Sequence, residues 1–178
     1  MQLWNRIKPT TITKVGWRTV VTKMFVMPDG ETQSFDTFGN EGQQFVIVLG
    51  ITPDKEVIIA RQFRFGPEKV YDELPGGFVD DGEELETAAL REFQEETGYR
   101  PERIEHLGFY HKDAYMNGVW HVFFATDCVQ VAEQELEAEE HIEVHLISVD
   151  QLIKNGKTDK MTDAAAVLIA YNRLENLA

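Results

Sequence analysis

Residues 76–99 read GGFVDDGEELETAALREFQEETGY, and the second half of this stretch decides the fold. At about 100° per residue, Leu85, Ala89 and Phe93 fall on one helical stripe with Ala88 beside it. Glu92 and Glu96 fall inside that stripe, where core residues belong, and Glu95 lies at its edge. Glu95 and Glu96 also occupy the last turn before Gly98, a residue suited to the left-handed conformation that ends helices. Carboxylates there oppose the helix dipole and repel one another at i and i+4. Turned inward without a partner they cost several kcal/mol. A hard divalent cation removes all three penalties, and an all-oxygen donor set suits Mg²⁺ or Mn²⁺. A surface helix that is merely rich in glutamate has no reason to place them in phase with Leu85, Ala89 and Phe93.

The spacing of the whole stretch is more specific than its phase. Gly77 is followed by Glu83 and then by Arg91-Glu92-Phe93-Gln94-Glu95-Glu96-Thr97-Gly98-Tyr99. This resembles the Nudix box, G-x5-E-x7-R-E-U-x-E-E-x-G-U with U bulky and apolar, at every fixed position. Aromatic Phe93 and Tyr99 stand at places that are often aliphatic. The resemblance implies an α+β fold, an α/β/α sandwich with a mixed sheet. It implies an enzyme that cleaves a nucleoside diphosphate linked to another group X, with Mg²⁺ or Mn²⁺. Carried onto this chain, it makes Glu92 and Glu96 metal ligands, with Glu95 and the carbonyl of Gly76 as further ligands. Arg91 then orients a neighbouring glutamate rather than touching substrate.

Composition narrows the partners. The chain has 178 residues, 43% of them hydrophobic, enough for a domain with a substantial core. A formal net charge of -14 leaves no basic stripe to neutralise a nucleic-acid backbone, so a small anionic substrate must be met by local arginines and by metal. The single cysteine, Cys128, forms no internal disulfide and fits a reducing compartment. The opening residues contain no apolar leader, and no run approaches membrane-spanning length, so the expected location is the cytoplasm, away from membranes.

Residues 1–40 read as a small N-terminal β unit and residues 41–178 as the catalytic domain. The first dozen residues show no sustained alternation. Thr19–Met27 reads as a strand, Pro28-Asp29-Gly30 as a turn and residues 31–37 as the returning strand of a hairpin. Such a piece is too small to bury its own core and needs a partner surface. Strands are then expected at 44–50, 56–65, 104–110, 119–125 and 142–147. Residues 72–77 lead through the turn at Asp80-Asp81-Gly82 into the glutamate helix. Ser148-Val149-Asp150-Gln151 is a capping box for a short helix to Lys154, and residues 162–177 read as one final amphipathic helix.

The flanks of the box suggest the group X. Arg61-Gln62-Phe63-Arg64 followed by Glu73-Leu74-Pro75-Gly76-Gly77 is similar to the RQYR…ELPAG arrangement of ADP-ribose and ADP-sugar pyrophosphatases. The leading hairpin and the tail Gly156-Lys157-Thr158-Asp159 are similar as well. That likeness implies hydrolysis of a nucleoside diphosphate sugar by a homodimer. It also places Glu73 beside the substrate and implies that Trp17 and Phe35 sandwich the nucleobase across the dimer. Either aromatic equally suits packing of the N-terminal unit. Arg64 can grip a diphosphate oxygen bidentately or pair with Glu73.

Two positions depart from the subgroup. Tyr115 stands where a proline is common, which is reminiscent of dinucleoside polyphosphate hydrolases. Ala138 stands where a loop glutamate can serve as general base. The base is then to be sought at Glu139, Glu140 or Glu95. A diphosphate isomerase on the same fold would need a catalytic cysteine, and Cys128 follows a strand well past the box. A binding module without catalysis would not need the intact box.

Overall fold

The computed structural model describes residues 2–177. In chain order the elements are β1 (Asn5–Val15), β2 (Arg18–Val26), β3 (Thr32–Phe38), β4 (Gln44–Gly50), β5 (Glu56–Arg64), β6 (Lys69–Glu73), α1 (Leu85–Thr97), β7 (Tyr99–Arg100), β8 (Arg103–Tyr110), β9 (Val119–Thr126), β10 (Val129–Gln130), β11 (Ile142–Ser148), α2 (Val149–Gly156), α3 (Ala164–Ile169) and α4 (Tyr171–Glu175). They divide into two compact units. The first holds the residues up to Gln43 together with His111–Val119, and the second holds Gln44–Tyr110 and Trp120 onward. The segment 111–119 therefore joins a unit that the sequence closes near residue 40.

The first unit is a three-stranded antiparallel sheet in the order β1-β2-β3. The β2–β3 hairpin closes at Met27, whose N–H donates to Glu31 and whose carbonyl accepts from Gly30. Gly30 takes φ +89 there, a conformation open to glycine. On this sheet Trp4, Phe25 and Phe35 form an aromatic cluster, with ring centroids 5.7 to 6.5 Å apart. β1 is an eleven-residue strand that no apolar alternation marks. It forms because its backbone pairs with β2, while Ile12 and Val15 stay exposed.

In the second unit β4, β9 and β8 form one sheet and β11, β5 and β6 another. Val119 N–H donates to Gln43 before β4, and Ile51 N–H donates to Ala125 after it, so β4 and β9 run parallel. The β8–β9 ladder is antiparallel, which makes the sheet mixed as expected. Val57, Ile58, Ile59 and Ala60 of β5 are all fully buried, so both faces of that strand are covered. On one side, Ala88, Ala89 and Phe93 of α1 pack against Val46, Val48, Ile58, Phe123, Ala125 and Cys128. A Cβ on Gly50 would lie 2.5 Å from the Phe93 ring, so only glycine lets α1 approach β4 this closely. α2, capped by the Ser148 hydroxyl accepting from Gln151 N–H, contacts β11 and β5 and packs against α3. Burial raises the Cys128 thiol to about 12, and its sulfur is a packing atom of this core.

Two elements differ from the sequence reading. Asp72 and Glu73, read as the start of the lead-in to the glutamate helix, instead end β6, because Arg61 and Ala60 of β5 pair with them, and Lys69–Tyr71, given no element in the sequence reading, continue the same strand. The final helix breaks at Ala170 into α3 and α4.

Candidate active site

The Pro75–Val79 segment is laid antiparallel on the free edge of β4. Val46 N–H donates to Gly77, Val48 N–H to Pro75, and Val79 N–H to Gln44. The Gly76 carbonyl lies between two that β4 occupies and takes no bond from that strand. The fit leaves no room for a side chain. Gly76 has φ +156, and a Cβ on it would lie 2.1 Å from the Val46 carbonyl oxygen. A Cβ on Gly77 would lie 2.3 Å from Oε2 of Glu92.

The C-terminal end of α1 faces this segment. Glu96 is 5% exposed, and its Oε2 accepts from Gly76 N–H at 2.7 Å. It forms no ion pair among the described residues. Burial holds its carboxyl well above the usual carboxylate range, and the Glu140 and Glu92 charges push the same way against the Gly76 bond. Burial raises Glu92 too, with Glu95 and Glu140 adding to it against the pull of Arg91. Glu140 therefore shares the electrostatic field of both box glutamates, whereas Glu139 is exposed and enters none of these interactions.

A loop supplies what the helix end lacks. Glu135 N–H donates to the Glu95 carbonyl, the Gln134 amide to the Glu96 carbonyl, and Val131 and Ala132 N–H to the Gly98 carbonyl. These bonds satisfy carbonyls that a helix C-terminus leaves open and tether the loop that carries Glu140. Gln134 is a structural residue of the site that sequence reasoning misses, since no local pattern marks a donor 38 residues from its acceptor.

Arg91 is fully engaged. Nε and Nη2 hold the two oxygens of Glu83 at 3.0 and 2.9 Å. Nη1 reaches Glu92 at 2.8 Å and Glu95 at 3.1 Å, and Nη2 also donates to the Phe78 carbonyl at 3.0 Å. Those bonds use all five guanidinium N–H groups. Arg91 thus organises three glutamates and has no donor left for a substrate. Glu83, a fixed position of the box given no role in the sequence reading, also accepts from Asp80 N–H and fixes the turn before α1.

Glu73 is fully buried on the same strand ladder. Its Oε2 is held by Nε and Nη2 of Arg64, and its Oε1 accepts from the Thr162 hydroxyl. Arg64 is half-exposed, and its Nη1 donates to no described residue. In the first unit, Trp17 stands at the β1–β2 turn, 77% exposed, with the Arg18 guanidinium 4.6 Å from its ring. Phe35 instead lies in the aromatic cluster, opposite Lys23 of β2.

The family profile of the NUDIX domain matches residues 43–170. The chain belongs to the Nudix family. This Nudix chain is 31% identical over 152 residues to an ADP-ribose pyrophosphatase of Bacillus subtilis (strain 168), covering 84% of this chain and 81% of that protein. It is 37% identical over 90 residues to an ADP-sugar pyrophosphatase of Mus musculus, covering 46% of this chain and 41% of the relative. A crystal structure of an ADP compounds hydrolase superposes with a TM-score of 0.76 over 96% of both chains at 17% identity, which establishes the shared fold. The α+β Nudix architecture and the assignment as a Nudix hydrolase stand on these matches. No helix among the described residues is long and apolar enough to cross a membrane.

The candidate metal donors, Glu92, Glu95, Glu96, Glu140 and the Gly76 carbonyl, are all oxygen. The most buried of them, Glu96, has no ion pair among the described residues. That chemistry fits a hard divalent ion. As the side chains stand, no three His, Cys, Asp or Glu among the described residues converge as a ready-made ligand group. Arg91 occupies Glu92 and Glu95 in that arrangement.

Proposed function

We propose that this Nudix hydrolase cleaves the diphosphate bond of ADP-ribose or a related nucleoside diphosphate sugar, giving a nucleoside monophosphate and a sugar phosphate. The observation that carries the reading is Glu96: a buried carboxylate facing two like charges, with one N–H donor, no ion pair among the described residues and only a smaller attraction from Arg64. Glu92 and Glu96 would hold Mg²⁺ or Mn²⁺, with Glu95 and the Gly76 carbonyl as further ligands. The ion would neutralise the diphosphate and polarise its phosphorus for attack by water. Binding it requires Glu92 and Glu95 to turn from Arg91, which keeps Glu83 as a bidentate partner.

Arg64 is suited to the diphosphate. Glu73 and Thr162 fix one edge of its guanidinium and leave Nη1 for an anionic oxygen. Glu140 is the best-placed general base, because it alone of the loop pair shares the field of Glu92 and Glu96. Its carboxylate also receives Glu137 N–H at 3.0 Å, which gives the loop a closed turn around Ala138. The likeness to an ADP-ribose pyrophosphatase over 84% of the chain supports the substrate class.

Exposed Ile12, Val15 and Trp17 on the first unit support a homodimer in which Trp17 meets the nucleobase, while Phe35 packs with Trp4 and Phe25. The lone buried cysteine supports a cytoplasmic location. The test is a panel of nucleoside diphosphate sugars and dinucleoside polyphosphates incubated with Mg²⁺ in ¹⁸O-water. ADP-ribose should be cleaved fastest, with one phosphate product carrying the label. Preferential cleavage of a dinucleoside polyphosphate would overturn the substrate assignment, and no cleavage of any member would overturn the catalytic one.

A further inference from the structure

Successive residues of a strand point to opposite faces of its sheet. On β6, Glu73 serves the active site, and its neighbour Asp72 lines a cavity of about 520 Å³ on the other side. That cavity is bounded by Arg61, Asp72, Asn155, Lys154, Thr158 and Lys160, among others. In a chain of net charge -14, three cationic side chains and one carboxylate meet here.

The carboxylate is spent on holding the arginine. Arg61 Nε donates to Asp72 Oδ1 at 2.6 Å, and the buried Asn155 amide donates to Oδ2 at 3.1 Å. Gln151 in turn donates to the Asn155 carbonyl oxygen at 2.7 Å. Each acceptor in this chain has its donor, and both terminal nitrogens of Arg61 remain without a described partner. Lys154 and Lys160 enter no ion pair among the described residues. Two further carboxylates lie near. Asp159 is held by Lys69 and Tyr71 and adds a smaller attraction on Lys160; Glu143, opposite Arg61 in the β5–β11 ladder, is bonded to His145 and adds a smaller attraction on Arg61. Asp72 N–H donates to the Lys160 carbonyl, which ties the Thr158–Lys160 rim to the edge of β6.

A pre-organised guanidinium fork with two ammonium groups that enter no ion pair on the same cavity is a receptor for a compact dianion. The volume falls within the usual range for small-molecule sites. We propose that this cavity binds a phosphate dianion, either inorganic phosphate or the phosphoryl group of a small phosphomonoester, at a site separate from the catalytic carboxylates. The proposal does not depend on the hydrolase substrate.

The test is ¹H–¹⁵N NMR of the full chain titrated in separate arms with inorganic phosphate and with ribose 5-phosphate, at constant ionic strength set by chloride. The side-chain amides of Asn155 and Gln151 and the backbone amides of Thr158 and Lys160 should shift saturably. Arg64→Gln, which removes the diphosphate-facing arginine, should leave those shifts unchanged. The double variant Lys154→Ala/Lys160→Ala, confined to exposed side chains, should weaken them by at least about tenfold. Tighter binding of ribose 5-phosphate would assign the site to phosphomonoesters, and equal binding to the phosphoryl group alone. Shifts that do not saturate, that survive the double variant, or that vanish with Arg64→Gln would overturn the proposal.

Discussion

Two glutamates among the described residues are buried, and they are buried in opposite ways. Glu73 has the Arg64 guanidinium on one oxygen and the Thr162 hydroxyl on the other. Glu96 has one backbone N–H and no ion pair; Glu92 and Glu140 repel it, and Arg64, already paired with Glu73, adds only a smaller attraction. Burying a charge is tolerable when it is paired and costly when it is not. Glu73 is thus complete within the chain, whereas in the proposed function Glu96 would be completed by a cation from solution. On that proposal the difference separates a carboxylate that positions the site from one that does its chemistry.

Glu96→Gln should widen that contrast most. It keeps the shape and the Gly76 bond, yet activity should fall on the order of a hundredfold or more, read as kcat at saturating Mg²⁺. Near-wild-type turnover would remove Glu96 from the site. In the general-base assignment, Glu140→Gln should lower kcat on the order of a hundredfold, the low end of general-base effects, with little change in KM, while Glu139→Gln behaves as wild type.

Stability should move in opposite directions at the two buried positions. Glu73→Gln leaves Arg64 and Thr162 poorly matched and should cost about 1–3 kcal/mol, reduced from a fully buried pair because Arg64 is half-exposed. Glu96→Gln should instead stabilise the metal-free protein at neutral pH by about 1 kcal/mol, raising Tm by a few degrees. The pH dependence follows from the sign of the shift. The folded state holds the Glu96 proton at a pH where the unfolded chain has lost it. Wild type should therefore lose stability, relative to Glu96→Gln, as pH rises from the ordinary carboxylate range through the raised folded value. A difference between the two proteins that is flat with pH would contradict the burial assigned to Glu96. Trp17→Ala, outside both carboxylate environments, should raise KM for ADP-ribose several-fold and leave metal binding unchanged, with base stacking worth about 1–3 kcal/mol.

Much of this was legible before any coordinates. α1 was readable because Glu92 and Glu96 violate its apolar stripe and Gly98 ends it, and Gly98 does cap the helix with φ +74. β4, β5, β9 and β11 were readable from their apolar runs. β1 was not, because its side chains stay largely exposed and only its pairing with β2 makes it a strand. β6 was hidden because Lys69-Val70-Tyr71-Asp72-Glu73 shows no apolar alternation, and its adjacent Asp72 and Glu73 serve two different arginines, one on each face. The break at Ala170 carries no proline or glycine to announce it. The bonds from Gln134 and Glu135 to the end of α1 are equally silent, since nothing local links a loop to a helix terminus that distant in sequence.

The most direct measurement of the central claim is Mn²⁺ binding, followed by electron paramagnetic resonance, to wild type, Glu96→Gln and Glu73→Gln. Wild type should bind saturably. Glu73→Gln should stay within about threefold of it, and Glu96→Gln should lose at least about tenfold in affinity. Equal Mn²⁺ affinity in wild type and Glu96→Gln would contradict the account.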